Sequence, residues 1–127
     1  MQRLDRFPVT RIVATAGALD AMKLPANALA MRTAPDELLV LGLPAPPMLT
    51  DGFAIIVDDT SFMGAWLDVD VAKIWLAHHC EWELPAQRPV FAQGEIAGLP
   101  VKLWLEARRM LVLVQQPYAF ELGERLA

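Results

Sequence analysis

The side chains able to do chemistry are grouped in a few short runs: His78-His79-Cys80, Asp58-Asp59-Thr60-Ser61 and Arg108-Arg109. The first has the residue types of a metal centre or a thiol nucleophile. Adjacent residues on a helix point about 100° apart, so these side chains do not converge on one ion, and His79 is not held as a base toward the Cys80 thiol. His79 falls between Ala72 and Trp75 on a helical wheel, as a histidine of the apolar side would; no metal site is expected. Asp58 and Asp59 face opposite sides of an extended strand and do not make a paired acid and base. Asp59 with Thr60 and Ser61 has the composition of a turn that caps backbone N–H groups; Asp59 and Ser61 are also the candidates there for holding a ligand. Arg108 and Arg109 sit at an expected hairpin tip, either as a solvated turn or as a site for a carboxylate or phosphate. The glycines, at positions 17, 42, 52, 64, 94, 98 and 123, form neither a dinucleotide fingerprint nor a phosphate-binding P-loop. No catalytic residue and no intrinsic cofactor are assigned.

The elements that must position these residues are short, because ten prolines punctuate the chain. Strands are expected at Val9 to Thr15, Leu29 to Thr33, Leu38 to Leu43, Phe53 to Val57, Phe62 to Leu67, Val101 to Glu106 and Met110 to Gln115, from β-branched or alternating apolar character. Residues 16–27 read as a short helix or loop, Pro35-Asp36-Glu37 as a turn, and Pro44 to Pro47 as a rigid connection. A helix between Asp68 and Cys80 has Asp68 or Asp70 as its N-cap and Val71, Ala72, Ile74, Trp75 and Leu76 on its apolar face. After a proline-bounded loop from Pro85 to Pro89, Ala107 to Arg109 turns the last hairpin. Pro117 then opens a helix to Leu126 that puts Tyr118, Ala119, Leu122 and Leu126 on one side. The order predicts one α+β domain, an antiparallel sheet with two helices on one face, close to the ferredoxin-like split βαβ pattern. A basic segment, residues 1–27, holds a strand plus a short helix or loop and precedes the α+β domain at residues 28–127.

The composition bounds the function classes. The 127 residues are 55% apolar and 20% charged, with a mean hydropathy of +0.34, which excludes a disordered chain. The longest apolar stretch, Leu38 to Leu49, is broken by Gly42, Pro44, Pro46 and Pro47, too short and too interrupted for the roughly 20 residues of a membrane span. The net charge is −4, with Arg3, Arg6, Arg11, Lys23 and Arg32 against Asp5 and Asp20 giving +3 up to Thr33 and −7 over the rest. An acidic body is not a nucleic-acid surface. The basic segment either folds back on that body or meets an acidic partner. The single cysteine fits a reducing compartment, and the start of the chain, where Asp5 and Arg11 intrude on a short apolar run, is a poor match to a signal peptide; a cytoplasmic protein is expected.

A chain of this size buries only about two-thirds of its unfolded surface, so the apolar excess points to a partner. Trp104 shares its strand face with Lys102 and Glu106, and is either half-covered by a loop or offered to another subunit, since interface centres favour Trp and Arg. With Leu43, Met48 and Leu49 from the proline-rich stretch, it makes up the candidate contact surface. The other tryptophans are Trp66, Trp75 and Trp82.

The run Val57-Asp58-Asp59-Thr60-Ser61-Phe62-Met63-Gly64-Ala65-Trp66-Leu67, with Val71-Ala72-Lys73-Ile74-Trp75-Leu76 after it, resembles a strand pair and helix of the glycine-cleavage T-protein (aminomethyltransferase, folate-binding) superfamily. Cys80-Glu81-Trp82-Glu83-Leu84, the stretch EIAGLPVKLWLEARRMLVLV from Glu95 to Val114, and the Tyr118 to Leu126 helix extend the likeness over residues 28–126. Within the superfamily the pattern resembles the gamma subunit of heterotetrameric sarcosine oxidase. The resemblance implies a ferredoxin-like α+β fold and a tetrahydrofolate-linked one-carbon context. In that context larger subunits hold flavin, nicotinamide cofactor and folate, and the small subunit is an accessory that is not catalytic alone. The helix begins Leu67-Asp68-Val69-Asp70 where the family carries a glycine, and no catalytic or folate-binding residue is carried over. Tetrahydrofolate enters only through this resemblance. The partners implied are larger oxidase subunits. The alternative is a stand-alone homo-oligomeric domain of the same fold that binds a small ligand.

Overall fold

Short runs of β-branched and aliphatic residues separated by proline, glycine and aspartate favour antiparallel strands joined by tight turns. The computed structural model describes residues 2–127, and nine strands and three α-helices lie among them. The α+β class with antiparallel sheets and few helices is as expected. The strands fall into two sheets, each in its own compact unit: Phe7–Thr60, and Ser61–Ala127 together with the residues through Arg6.

The chain starts with β1 (Asp5–Arg6), which belongs to the larger unit. The smaller unit contains β2 (Val9–Val13), α1 (Ala16–Asp20), β3 (Leu29–Ala34), β4 (Glu37–Leu41) and β5 (Ile55–Asp59), with strand order β3-β4-β2-β5. The boundary expected between residues 27 and 28 therefore runs through one sheet, since β2 and β3 both pair with β4. Ile12, Leu38 and Val40 on one face pack with Ala18 and Leu19 of α1, while Val9, Met31, Leu39 and Leu41, of opposite parity, are buried as well. Burying a side chain of this size contributes about 1.5–3 kcal/mol. α1 is capped by Thr15, whose Oγ1 accepts from the Ala18 N–H at 3.2 Å.

One expectation is corrected in this unit. The strand expected at Phe53 to Val57 is displaced two residues toward Asp59. β5 runs from Ile55 to Asp59 at the edge of its sheet, with Phe53 94%, Ile55 58% and Val57 44% exposed. Apolar continuity does not distinguish a strand flanked on both sides from one flanked on one side; only the pairing does that.

The larger unit contains β6 (Phe62–Asp68), α2 (Val69–His79), β7 (Val90–Ile96), β8 (Leu99–Leu105), β9 (Arg109–Gln115), a 3-10 turn over Gln116–Tyr118, and α3 (Ala119–Arg125). Its strand order is β1-β6-β9-β8-β7, which places β9 in the middle and buries Met110 to Val114 throughout. β7 was not expected from the sequence. It pairs with β8 along its whole length through a two-residue turn at Ala97 and Gly98, with φ of 54° and 80°, the left-handed geometry whose twist matches a hairpin.

Both helices lie on one face of this sheet. Ala72 and Trp75 of α2 and Leu122 of α3 share a core with Leu67, Met110 and Val112. The Trp75 Nε1–H donates to the Arg125 carbonyl at 3.0 Å and ties the two helices together. Asp68 sits at the N-cap position of α2 without a side-chain capping bond, and the Val69 N–H donates to the Arg108 carbonyl at 3.0 Å. The apolar face is also narrower than its composition suggests, because Val71 is 52% and Ile74 64% exposed.

Candidate functional site

The register of the larger sheet brings Trp66, Leu111, Trp104 and Phe91 into one row, since Trp66 and Trp104 both lie opposite Leu111 and Phe91 lies opposite Trp104. Side chains alternate along a strand, so this row points away from the helices. Leu111 is fully buried, while Trp66, Trp104 and Phe91 are half-buried. At the end of the row, the Arg109 guanidinium stacks on Trp66, 3.6 Å from the ring centroid. Its Nε–H donates to Glu106 Oε1 at 2.8 Å, and the Trp104 Nε1–H donates to Glu106 Oε2 at 3.0 Å. Glu106 thus bridges the arginine and the indole. The groups of this cluster satisfy one another: both carboxylate oxygens accept hydrogen bonds, and the cation is held over a π-face. Arg108 lies beside it with an exposed side chain.

Sequence reasoning placed Trp104 with Glu106 on one strand face and Arg109 at the neighbouring turn, but did not connect Arg109 with either of them or with Trp66. A signal was present: Glu106 and Arg109 flank the hairpin turn three residues apart, and Trp104 shares the parity of Glu106 on its strand.

In the smaller unit, Asp59 pairs with a cation far from it in sequence. It lies in β5 and accepts from Arg11 Nη2 at 2.7 Å, while Arg11 Nη1 pairs with Glu37 Oε2 at 2.9 Å. Arg11 stands opposite Leu39 in β4 and Val57 in β5, so both carboxylates are its diagonal neighbours, within reach of a long side chain. The hydrogen bond to Asp59, and then the charges of Glu37 and Asp59, push the guanidinium above its ordinary pKa against the opposing effect of burial. Arg32 similarly pairs with Asp20 of α1 at 2.9 Å, so Arg11 and Arg32 are both bound to acidic groups of their own unit.

Beside this network a cavity of about 310 Å³ is lined by Val9, Thr10, Leu43, Asp58, Asp59 and Thr60, among others. Asp59 belongs to the smaller unit and Ser61, Arg108 and Arg109 to the larger, so neither unit gathers all four candidate binding residues. Ser61 is half-buried, and its carbonyl accepts from the Gln116 N–H at 2.7 Å. Of the remaining contact candidates, Leu43 and Leu49 pack against the Ile12, Leu38 and Val40 core, and Met48 is 94% exposed.

The histidine pair is spread apart. The His78 ring nitrogen Nδ1 lies 2.8 Å from the Ile74 carbonyl, and the His79 ring leans on Trp75 with centroids 5.7 Å apart. The Cys80 thiol donates to the Trp82 carbonyl at 3.3 Å. Among the described residues no group of three or more His, Cys, Asp or Glu is placed to hold a metal ion, and no helix is long and apolar enough to cross a membrane.

No protein-family model matches the sequence, and no curated protein matches it. Among solved structures, a chain of the heterotetrameric sarcosine oxidase from Corynebacterium sp. U-96, determined in complex with pyrrole 2-carboxylate, superimposes with a TM-score of 0.74. The superposition covers 97% of this chain and 80% of that one at 17% sequence identity. The α+β fold described above is therefore a sarcosine oxidase-related fold.

Proposed function

We propose that this protein is a non-catalytic accessory subunit of a multi-subunit oxidoreductase of the sarcosine oxidase kind, acting in a tetrahydrofolate-linked one-carbon context. The observation that carries the proposal is the likeness of nearly the whole chain to one chain of a heterotetrameric enzyme. Its polar clusters support a binding role over a chemical one. Arg11 is engaged by Glu37 and Asp59, and Glu106 by Arg109 and Trp104. The exposed apolar side chains, including Met48, Phe53, Ile74 and Phe120, are the kind of surface an assembly covers. The one-carbon context rests on the sequence resemblance, and folate in this proposal belongs to the larger subunits.

The test is co-expression with the large oxidase subunits encoded in the same genome, followed by light-scattering mass and sarcosine-dependent turnover of the purified complex. The expected result is a stable complex whose turnover or yield falls when this chain is omitted. If the chain purifies alone in the presence of those subunits, the proposal fails. A closed homodimer that ignores them identifies the protein as a stand-alone ligand-binding domain instead.

A further inference from the structure

Among the described strands, β5 pairs with β2 alone, so one side of it has no strand partner. Soluble proteins blunt such edges with charged or polar side chains, proline, a bulge or brevity, and the other sheet edges show these features. β3 carries a register shift between Arg32 and Ala34, β1 has two residues, and β7 exposes Gln93 and Glu95. β5 has no proline and no register shift, and it carries charge only at its end, in Asp58 and Asp59. Ile55 is 58% and Val57 44% exposed, with Phe53 94% exposed immediately before them. The approach to β5 is held in place by Asp51, whose Oδ1 accepts from the Phe53 N–H at 2.9 Å and whose Oδ2 accepts from the Thr15 N–H at 3.0 Å. The result is an anchored, apolar edge strand with Phe53 projecting beside it.

We infer that the free edge of β5 is the docking site for a larger partner subunit, which adds a strand to this sheet; the inference rests on the accessory-subunit proposal. The added strand presents β-branched side chains against Ile55 and Val57 and a lysine or arginine near Asp58. Charge selects this occupant over a second copy of the chain. Asp58 is exposed in β5 and Arg11 does not engage it, so a second copy of a chain of net charge −4 adds like charge at this edge, whereas a basic strand neutralises it.

The experiment uses the complex with the large oxidase subunits. Amide exchange over residues 55–59 is measured for the free chain and for the complex, and affinity is measured for the wild type, Val57→Lys and, as a control on an exposed polar residue of α2, Lys73→Gln. The inference expects slowed exchange at 55–59 on assembly and about tenfold or greater weakening by Val57→Lys, with Lys73→Gln unchanged. The exchange measurement on the wild type needs no variant to fold. A complex that forms with these amides unprotected and Val57→Lys binding normally overturns the edge assignment and leaves the accessory role standing. A chain that binds no oxidase subunit overturns both. A homodimer abolished by Val57→Lys overturns the choice of partner.

Discussion

Removing the Arg11 cation tests the energetics of the smaller unit most directly. Arg11→Met retains the aliphatic stem and deletes the contacts at 2.9 Å to Glu37 and 2.7 Å to Asp59. It leaves the Glu37 and Asp59 carboxylates on either side of β2 without the Arg11 cation. An exposed pair is worth about 0.2–1 kcal/mol, and breaking a fully buried one costs about 3–5 kcal/mol. These side chains are 26%, 27% and 14% exposed, so the cost falls between those limits, at about 2 kcal/mol. Trp66, Trp75, Trp82 and Trp104 all lie in the larger unit, so indole fluorescence does not report this loss. The assay is amide exchange over β2, β4 and β5, where about 2 kcal/mol corresponds to roughly 30-fold faster opening. Asp59→Asn alone should cost about 1 kcal/mol, and the double variant less than the sum of the two. The sign with pH follows from the raised guanidinium pKa. A cation stabilised in the fold contributes fully below its unfolded pKa and fades only above it, so the penalty is constant from neutral to mildly alkaline pH. Exchange within twofold of the wild type, or strict additivity, would refute the reasoning.

Gly64→Ala should be the most damaging single-methyl change, because a Cβ there strikes the Val112 carbonyl oxygen and comes within 2.7 Å of Leu113 Cδ2. The β6–β9 pairing has to shift, and a thermal melt should show at least the roughly 1–3 kcal/mol of an overpacked core. Asp51 is held below the usual carboxylate range chiefly by the Phe53 N–H and then by Thr15. Its anchoring is therefore present above the unfolded value near 3.8 and is lost as pH falls through its lower folded value. Exchange at the Thr15 and Phe53 amides should accelerate in that acidic window in the wild type and already be fast at neutral pH in Asp51→Ala. Glu106→Ala releases both the Trp104 N–H and Arg109, so a shift in tryptophan emission with a loss of no more than about 1 kcal/mol is expected; unchanged emission would mean that the cluster does not persist in solution. Trp75→Phe removes the bond to the Arg125 carbonyl, and proteolysis should then release the α3 end of the chain first.

Much of the framework was legible from local pattern. The run Met110 to Val114 has no polar residue and becomes the buried centre of its sheet, and the helix after Asp68 ends within a residue of its expected limit. β7 was missed because Gly94 and the prolines before Val90 dilute its alternation, and its turn uses Ala97 in a left-handed conformation that alanine seldom marks. The ion pair of the polar quartet was not legible for a related reason. Asp59 was assigned to a turn by its neighbours, but the residue that decides its role, Arg11, is 48 positions away.

The sequence by itself determined the class of the protein: α+β, rich in short antiparallel strands, without a phosphate loop, and more apolar than a lone small domain requires. Those properties depend on composition and on periods of two or 3.6 residues, which are local. Only the tertiary structure decided that the strands form two sheets, that Phe53 to Val57 leads to an exposed edge, and that Trp66, Trp104, Glu106 and Arg109 form one patch. Each of these depends on which strand lies beside which, and pairing between strands far apart in sequence leaves little trace in the composition of either one.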